Sequence, residues 1–362
     1  MWQPTLLPLH VDLESKTVLR KLPGAHRALA ELKGIADTIP NQGILLNSLA
    51  LQEAKDSSEV ENIVTTHDEL YKANLNLETV QAISAREVQN YIEALKRGFF
   101  LIEEYGLLTM NNIKSIQETL EKNSAGFRKV PGTTLRMEST GEVIYEPPQH
   151  PDEIENLLTN LETYINDDTV QDVDVLIKMA VIHFQFESIH PFYDGNGRTG
   201  RITNLLYLIL KRYLTIPILY ISGYINQHKS QYYRYLQSIR EDGDWEPWLL
   251  FMIDAVEQTA KDTIDLIKQI QVLMMEFKHK IRKRYKFYSQ DLLNNLFTHP
   301  YTKIDIVMEE LNVSRPTASG YLKALAEGGF IEKYRMGRQN YYVNFHLVTL
   351  LSRRNFLSNP SQ

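Results

Sequence analysis

The chain has 362 residues, 43% of them hydrophobic, and a formal net charge of −6, which fits a soluble globular protein of two or three domains. It has no cysteine, which excludes disulfide and thiolate chemistry and suits a cytoplasmic setting. No apolar run reaches the roughly 18 residues of a membrane span, and Met1-Trp2-Gln3-Pro4 opens no signal peptide, so neither a membrane partner nor secretion is expected.

The elements read as follows in chain order. Residues 43–75 predict helices, with Leu45, Leu46, Leu49 and Leu51 as an apolar stretch and Asp56-Ser57-Ser58 as the start of a second helix. Residues 85–122 show helical spacing, with Val88, Tyr91, Ile92, Leu95 and Phe99 on one stripe. Around residues 128–147 the pattern changes to a hairpin with Thr140-Gly141 in or near its turn, closed by Pro147-Pro148, neither of which has an N–H for a ladder. Helix returns at 151–165. A strong buried helix follows at 171–189, with Val175, Met179, Ile182 and Phe186 on one face. Pro191 disfavours helical geometry at His190 and so ends that helix. A glycine-rich loop leads into an apolar helix from Arg198, and residues 227–240 and 245–285 give two more helices.

The segment His190-Pro-Phe-Tyr-Asp-Gly-Asn-Gly-Arg-Thr-Gly-Arg201 concentrates the chemistry. Gly195 and Gly197 permit positive φ and close approach of backbone N–H groups to a ligand, and the loop opens directly into a helix N-terminus, which attracts anions. Arg198 and Arg201 share one face of the first turn, where positive charge opposes the helix dipole unless an anion lies between them. Asp194 offers a hard oxygen to a Mg²⁺ bridging phosphates, and His190 can take a proton near neutral pH. Phe192 reads as an apolar anchor. A base, a metal carboxylate and an anion cradle in twelve residues describe nucleotidyl or phosphoryl transfer.

This segment resembles the signature of the Fic family, His-x-Phe-x-Asp/Glu-Gly-Asn-Gly-Arg-x-x-Arg, with every specified position filled, and the resemblance extends over roughly residues 85–260. It implies a mainly α fold: a helical core with a β-hairpin flap at 128–147. It also implies a protein adenylyltransferase that uses ATP and Mg²⁺. His190 would deprotonate the acceptor hydroxyl and Asp194 would hold Mg²⁺. Asn196, with the amides of Gly195 and Gly197, would bind the α- and β-phosphates, helped by Arg198. Arg201 would hold the γ-phosphate. Thr199, Gly200 and, from the flap, Ile144 would complete the nucleotide site, and Tyr232-Tyr233 falls where family members contact adenine, although a core role on a helix fits it equally. The target protein would add a strand along the flap. Self-modification is a further expectation. The kinase-like Doc branch has lysine where this chain has Gly197, so glycine favours AMP transfer, while UMP- and phosphocholine-transferring branches stay open.

Within the N-terminal region 1–84, Ser57-Ser-Glu-Val-Glu61-Asn62 resembles the family's inhibitory motif and implies an inhibitory helix near 57–66. Glu61 would pair with Arg201 and exclude a productive γ-phosphate. The same residues also fit a capping box, Ser58-x-x-Glu61. In some members the glutamate supports AMP removal, so a de-AMPylase is an alternative.

Past a helical linker at 261–285, residues 286–350 resemble a winged helix. The charge supports a separate module: residues 278–362 hold 14 Lys+Arg against 6 Asp+Glu, a net of +8, and the rest carries −14. Ile304, Val307 and Leu311 mark one helix, a capping Ser314 opens a second from Arg315 to Glu327, and Gly328-Gly329 ends it. Phe330-Ile331 and Tyr341-Tyr342-Val343 read as wing strands around Met336-Gly337-Arg338. DNA is one expected partner, met by Arg315, Thr317, Ser319 and Lys323, with Arg335 and Arg338 on phosphate, which also leaves a DNA-binding regulator with a nucleotide-sensing core as an alternative. A protein contact or homodimer through the same module is the other.

Overall fold

The computed structural model describes residues 2–66, 83–137, 140–336 and 339–352. The chain forms two compact units, one of Met1–Ala30, Glu53–Ile63 and Glu87–Ala260, the other of Glu31–Gln52, Val64–Arg86 and Lys261–Gln362. The N-terminal region 1–84 therefore does not stand apart but divides between both. Of the described residues, no helix is long and apolar enough to cross a membrane.

The first unit is helical around one pair of central helices. Helix α1 (Lys16–Ala36) and helix α2 (Gly43–Val60) contribute residues to both units. Contrary to the expected start at Asp56-Ser57-Ser58, α2 runs through those residues without a break. Ser58 caps nothing: its hydroxyl donates to the Ala54 carbonyl one turn back, at 2.7 Å. The helix instead ends just beyond, where Asn62 takes φ +62 and Ile63 N–H returns to the Ser58 carbonyl. The inhibitory motif is thus the C-terminal end of a helix, not a helix over 57–66.

The expected helical stretch 85–122 is two helices, α3 (Ile83–Tyr105) and α4 (Met110–Glu121). Gly106 at φ +65 breaks the run, and Thr109 caps the second by accepting from Asn112 N–H. The flap is a short antiparallel hairpin of β1 (Leu135–Arg136) and β2 (Val143–Tyr145), with Leu135 opposite Tyr145 and Gly141 at φ +72 in the turn. Helix α5 (Pro151–Asn166) follows, opened by the proline its first turn tolerates.

Helix α6 (Val175–Ile189) and helix α7 (Asn196–Leu210) pack closely together. Every residue of α6 from Leu176 to Ile189 is buried, so the single-face expectation understates its burial. Asp174 caps its start, and His190 ends it in the left-handed region. Three further helices complete this part of the chain: α8 (Ser222–Gln227), α9 (Lys229–Asp242) and the long α10 (Glu246–Arg284), whose last residues belong to the second unit.

In the second unit, helices α11 (Gln290–Thr298), α12 (Ile304–Leu311) and α13 (Arg315–Glu327) accompany an antiparallel sheet of β3 (Tyr301–Thr302), which lies between α11 and α12, and of β4 (Glu332–Met336) and β5 (Gln339–Val343), in the order β3-β5-β4. Ser314 caps α13 as expected. Strand β3 and the closing helix α14 (Phe345–Ser352) add to the expected elements. Phe330 and Ile331 are core residues that precede β4 rather than wing residues. The ring of Phe277 meets Phe297, Phe330 and His346 edge-on at 5.3–5.6 Å, which ties α10 into this core. On the helix pair expected to meet DNA, Arg315 holds Asp305 at 2.7 Å and Lys323 lies 3.9 Å from Glu327. Arg338 lies outside the described residues.

Candidate active site

The site grows from the junction of α6 and α7. Because proline follows, His190 leaves the helix at φ +49, and its N–H caps the Phe186 carbonyl at 2.9 Å. Phe192 is fully buried and forms a lone bridge with Phe127, their rings 5.2 Å apart. Asn196 then locks the loop from inside. Its Oδ1 accepts from Phe192 N–H and its Nδ2 donates to the Phe192 carbonyl, both at 2.8 Å. These two bonds use one amide hydrogen and one oxygen lone pair, and the backbone N–H of Asn196 stands free at the helix start for the expected phosphate contact.

Gly195, at φ +76, precedes α7, and Asp194 Oδ1 accepts its N–H at 2.7 Å. The N–H groups of Asn196, Gly197 and Arg198 open the helix with no partner inside it, the arrangement of an anion cradle. Gly197 lies under two side-chain ends. A Cβ there would lie 2.3 Å from Glu61 Oε1 and 3.0 Å from Arg201 Nη1. The Glu61 carboxylate therefore rests over the cradle itself. Arg201, 1% exposed, donates from Nη2 to Glu61 Oε1, from Nε to Ser57 Oγ and from Nη2 to the Ser57 carbonyl, each at 2.8 Å. Burial alone would raise the Glu61 carboxyl, but the charge and hydrogen bond of Arg201, with Arg198 and His190 beyond, hold it below its ordinary value. Asn62 accepts from Lys229 Nζ at 2.7 Å.

Arg198 is bound differently from expectation. It is 4% exposed, with Nη1 on Glu87 and Nη2 on Glu121, each at 2.8 Å. Glu121 also lies against the loop, since a Cβ on Gly195 would meet its Oε1 at 2.3 Å. Burial, and repulsion from Asp194 and Glu87, lift the Glu121 carboxyl despite Arg198.

His190 is half-buried with its Nδ1 sealed from solvent. Burial first, then the nearby Arg128 charge, push its imidazole down to about 4, against the upward pull of Glu61. Arg128 fastens the corner. Its Nε donates to the His190 carbonyl at 2.7 Å, its Nη2 to the Pro148 carbonyl at 2.9 Å, and its N–H to the Pro191 carbonyl at 2.8 Å. Sequence reasoning missed Arg128, Glu87 and Glu121, because they come from distant elements with no spacing rule to betray them.

Other expected nucleotide residues sit elsewhere. Thr199 is fully buried, and Gly200 faces α6, where a Cβ would meet Glu187 at 2.8 Å and Phe186 at 3.2 Å, so both serve helix packing. Tyr232 is a core aromatic, 2% exposed, with its hydroxyl 2.8 Å from His183 Nε2, which fits the core role on a helix. Tyr233 is exposed and Ile144 half-buried on the flap.

Three sequence profiles match successive stretches of the chain: Fic/DOC family N-terminal over residues 19–100, Fic/DOC family over 107–208, and the protein adenylyltransferase SoFic-like C-terminal domain over 273–347. The chain is 28% identical over 209 residues to the protein adenylyltransferase Fic of Drosophila grimshawi, covering 55% of this chain and 41% of that protein. It thus spans about two fifths of the length of the curated relatives it matches. Among solved structures it resembles in fold a Fic family protein from Desulfovibrio desulfuricans G20, with a TM-score of 0.60, 19% identity and coverage of 94% of this chain and 98% of that one. Fic-1 from C. elegans is also similar, with a TM-score of 0.52, 16% identity and coverage of 70% and 74%.

Proposed function

The chain belongs to the Fic/DOC family, and from that premise we propose that it transfers AMP from ATP to a Tyr, Ser or Thr hydroxyl of a protein, with Glu61 holding the site shut at rest. The observation that carries this reading is the Glu61 carboxylate seated over Gly197 and bonded to Arg201, an anion already in the place the cradle keeps for one.

The chemistry follows from the chain's own groups. With Glu61 displaced, the opening N–H groups of α7 and the Arg201 guanidinium face a triphosphate. A hydroxyl above the α-phosphate gives its proton to the neutral His190 imidazole. Its oxygen bonds to the α-phosphorus, the bond to the β-phosphate bridging oxygen breaks, and pyrophosphate leaves with that electron pair. Arg128, by gripping the His190 carbonyl, keeps the base at the loop corner. Most of the acceleration comes from this prior placement of base and donors.

Mg²⁺ fits this site in a limited way. Asp194 is exposed and uses Oδ1 on Gly195, which leaves its other oxygen for a cation. Among the described residues, no three His, Asp or Glu side chains gather to cage a metal. One carboxylate completed by substrate phosphates and water is a usual Mg²⁺ environment, and the ion would offset phosphate charge there. The acceptor chain, on this reading, lies along the hairpin, whose neighbourhood exposes Val130 and Met137.

Incubation with α-³²P-ATP, Mg²⁺ and candidate acceptor protein tests the proposal. Label should enter protein with the Glu61→Gly variant and vanish when His190→Ala is added, while nucleotide still binds. Transfer that survives His190→Ala removes the assignment.

A further inference from the structure

The helix that carries Glu61 has a second buried carboxylate that no motif marks. Glu53 lies eight residues earlier on α2 and is 2% exposed. Three donors from two other elements meet it. Tyr91 of α3 donates its hydroxyl to Oε1 at 3.0 Å, the Ser222 hydroxyl of α8 donates to the same oxygen, and Ser222 N–H reaches Oε2 at 3.3 Å.

These contacts continue to the active site. Arg201 Nε donates to Ser57 Oγ, and Ser57 neighbours the Tyr91 hydroxyl. Tyr91 passes its proton onward to Glu53. Arg201, Ser57, Tyr91 and Glu53 thus lie one after another through the interior, with a hydrogen bond at each end of the row. The chain has no exposed member: Ser57 and Tyr91 are fully buried and Arg201 is 1% exposed. Glu53, Ser57 and Glu61 thus form one strip of α2 and its last turn, fixed at one end by Tyr91 and Ser222 and at the other by Arg201.

We infer that Glu53 is a positioning residue of the closed state, an inner latch that keeps Ser57 and Glu61 seated on Arg201. A carboxylate suits this task better than a neutral amide. It accepts from three donors at once, whereas glutamine offers one acceptor oxygen and turns an NH₂ toward the Ser222 N–H. Burial first lifts the Glu53 carboxyl, to about 7, so the latch is charged at pH 8, where the test belongs.

This inference rests on the adenylyl-transfer reading, and two measurements on the full chain at pH 8 keep the two apart. Amide hydrogen exchange over residues 57–63 should quicken about tenfold in Glu53→Gln, the worth of one hydrogen bond to a charged group, and Tyr91→Phe should do the same. Label transfer from α-³²P-ATP should rise several-fold in Glu53→Gln with Glu61 in place, and Glu53→Gln/Glu61→Gly should be no faster than Glu61→Gly alone. A silent Glu61→Gly sinks the transfer reading but leaves the exchange result to judge the latch. Unchanged exchange in both latch variants, or slower transfer when Glu53→Gln is added to Glu61→Gly, overturns the latch.

Discussion

Arg201 and Glu61 meet at 2.8 Å in a cradle built for anions, and the arginine is also held by the hydroxyl and carbonyl of Ser57. The pair is asymmetric. Arg201 is sealed, while the Glu61 side chain is 35% exposed. The glutamate is therefore the member that can leave. Replacing it by glycine should raise ATP affinity and transfer by about tenfold or more, the scale of a hydrogen bond to a charged group. Glu61→Gln, which keeps the shape and loses the charge, should fall between glycine and the parent. Calorimetric titration with ATP ranks the three, and a glutamine variant as open as the glycine variant would mean that charge does not set the lock.

Gly195 and Gly197 answer to different demands. At Gly197 the backbone is ordinary, but a Cβ would crowd Glu61 and Arg201. Gly197→Ala in the Glu61→Gly background should fold normally and bind ATP more weakly, because the methyl group narrows the cradle. Gly195 combines φ +76 with Glu121 Oε1 at 2.3 Å from any Cβ. Gly195→Ala should cost stability, about 1–3 kcal/mol, as strained left-handed positions do. Urea unfolding of the two variants separates these expectations.

The loop signature was legible because its residues are contiguous, so spacing alone places His190 beside an opening helix. Asn196 shows where that legibility ends. Its type and position fit the signature, yet its amide closes on Phe192, a choice made by loop geometry that no linear pattern records. Ser58 misled for a related reason. Ser-x-x-Glu is equally a helix start and the tail of a longer helix, and burial of Leu49, Leu51 and Ala54 decides for the tail. The Glu87–Arg198–Glu121 contacts span 77 and 111 residues of sequence and were beyond reach of local reading.

Tyr232 bears on a point that spacing left open. His183 lies between the Asn204 amide, 2.9 Å from its Nδ1, and the Tyr232 hydroxyl, 2.8 Å from its Nε2. The imidazole also stacks on Trp248 at 5.9 Å, and burial pushes it down to about 3. Tyr232→Phe removes the hydroxyl partner of the buried His183 Nε2 and should cost about 1–3 kcal/mol in urea unfolding. ATP affinity in the Glu61→Gly background should not change. A loss of affinity without a loss of stability would return Tyr232 to the nucleotide.

Glu187, one turn before His190, is a buried carboxyl whose Oε1 has no hydrogen-bond partner. Burial lifts it to about 7 against the pull of Arg201. Its folded value lies above its unfolded one, near 4.5, so its contribution to stability is present below about pH 4.5 and is lost as pH rises through 7. Glu187→Gln should therefore stabilise the protein at pH 8, by about 1–3 kcal/mol, and do little at pH 5. Thermal melts at both values decide it, and equal effects at the two would show that the parent carboxyl does not titrate between them.

The base itself sets the acid limit of the reaction. His190 acts only when neutral, and its imidazole is held down to about 4 by burial and by Arg128. It is then deprotonated across the whole neutral range, and at saturating nucleotide the rate should stay level from about pH 8 to pH 5. Below pH 4 the rate should drop about tenfold per unit, as the proton it must accept is already present. Removing Glu61 takes away the one carboxylate that pulls His190 upward, so Glu61→Gly should shift this limb to lower pH, not higher. The same burial disfavours the folded state in acid, because the unfolded imidazole takes up a proton near 6.5 that the folded one refuses. Stability from this group is therefore present above pH 6.5 and lost as pH falls through 4. A rate profile of the Glu61→Gly variant with its inflection near 6.5 would place the imidazole in water, and the sealed corner formed by Arg128 and Pro191 would not describe the working enzyme.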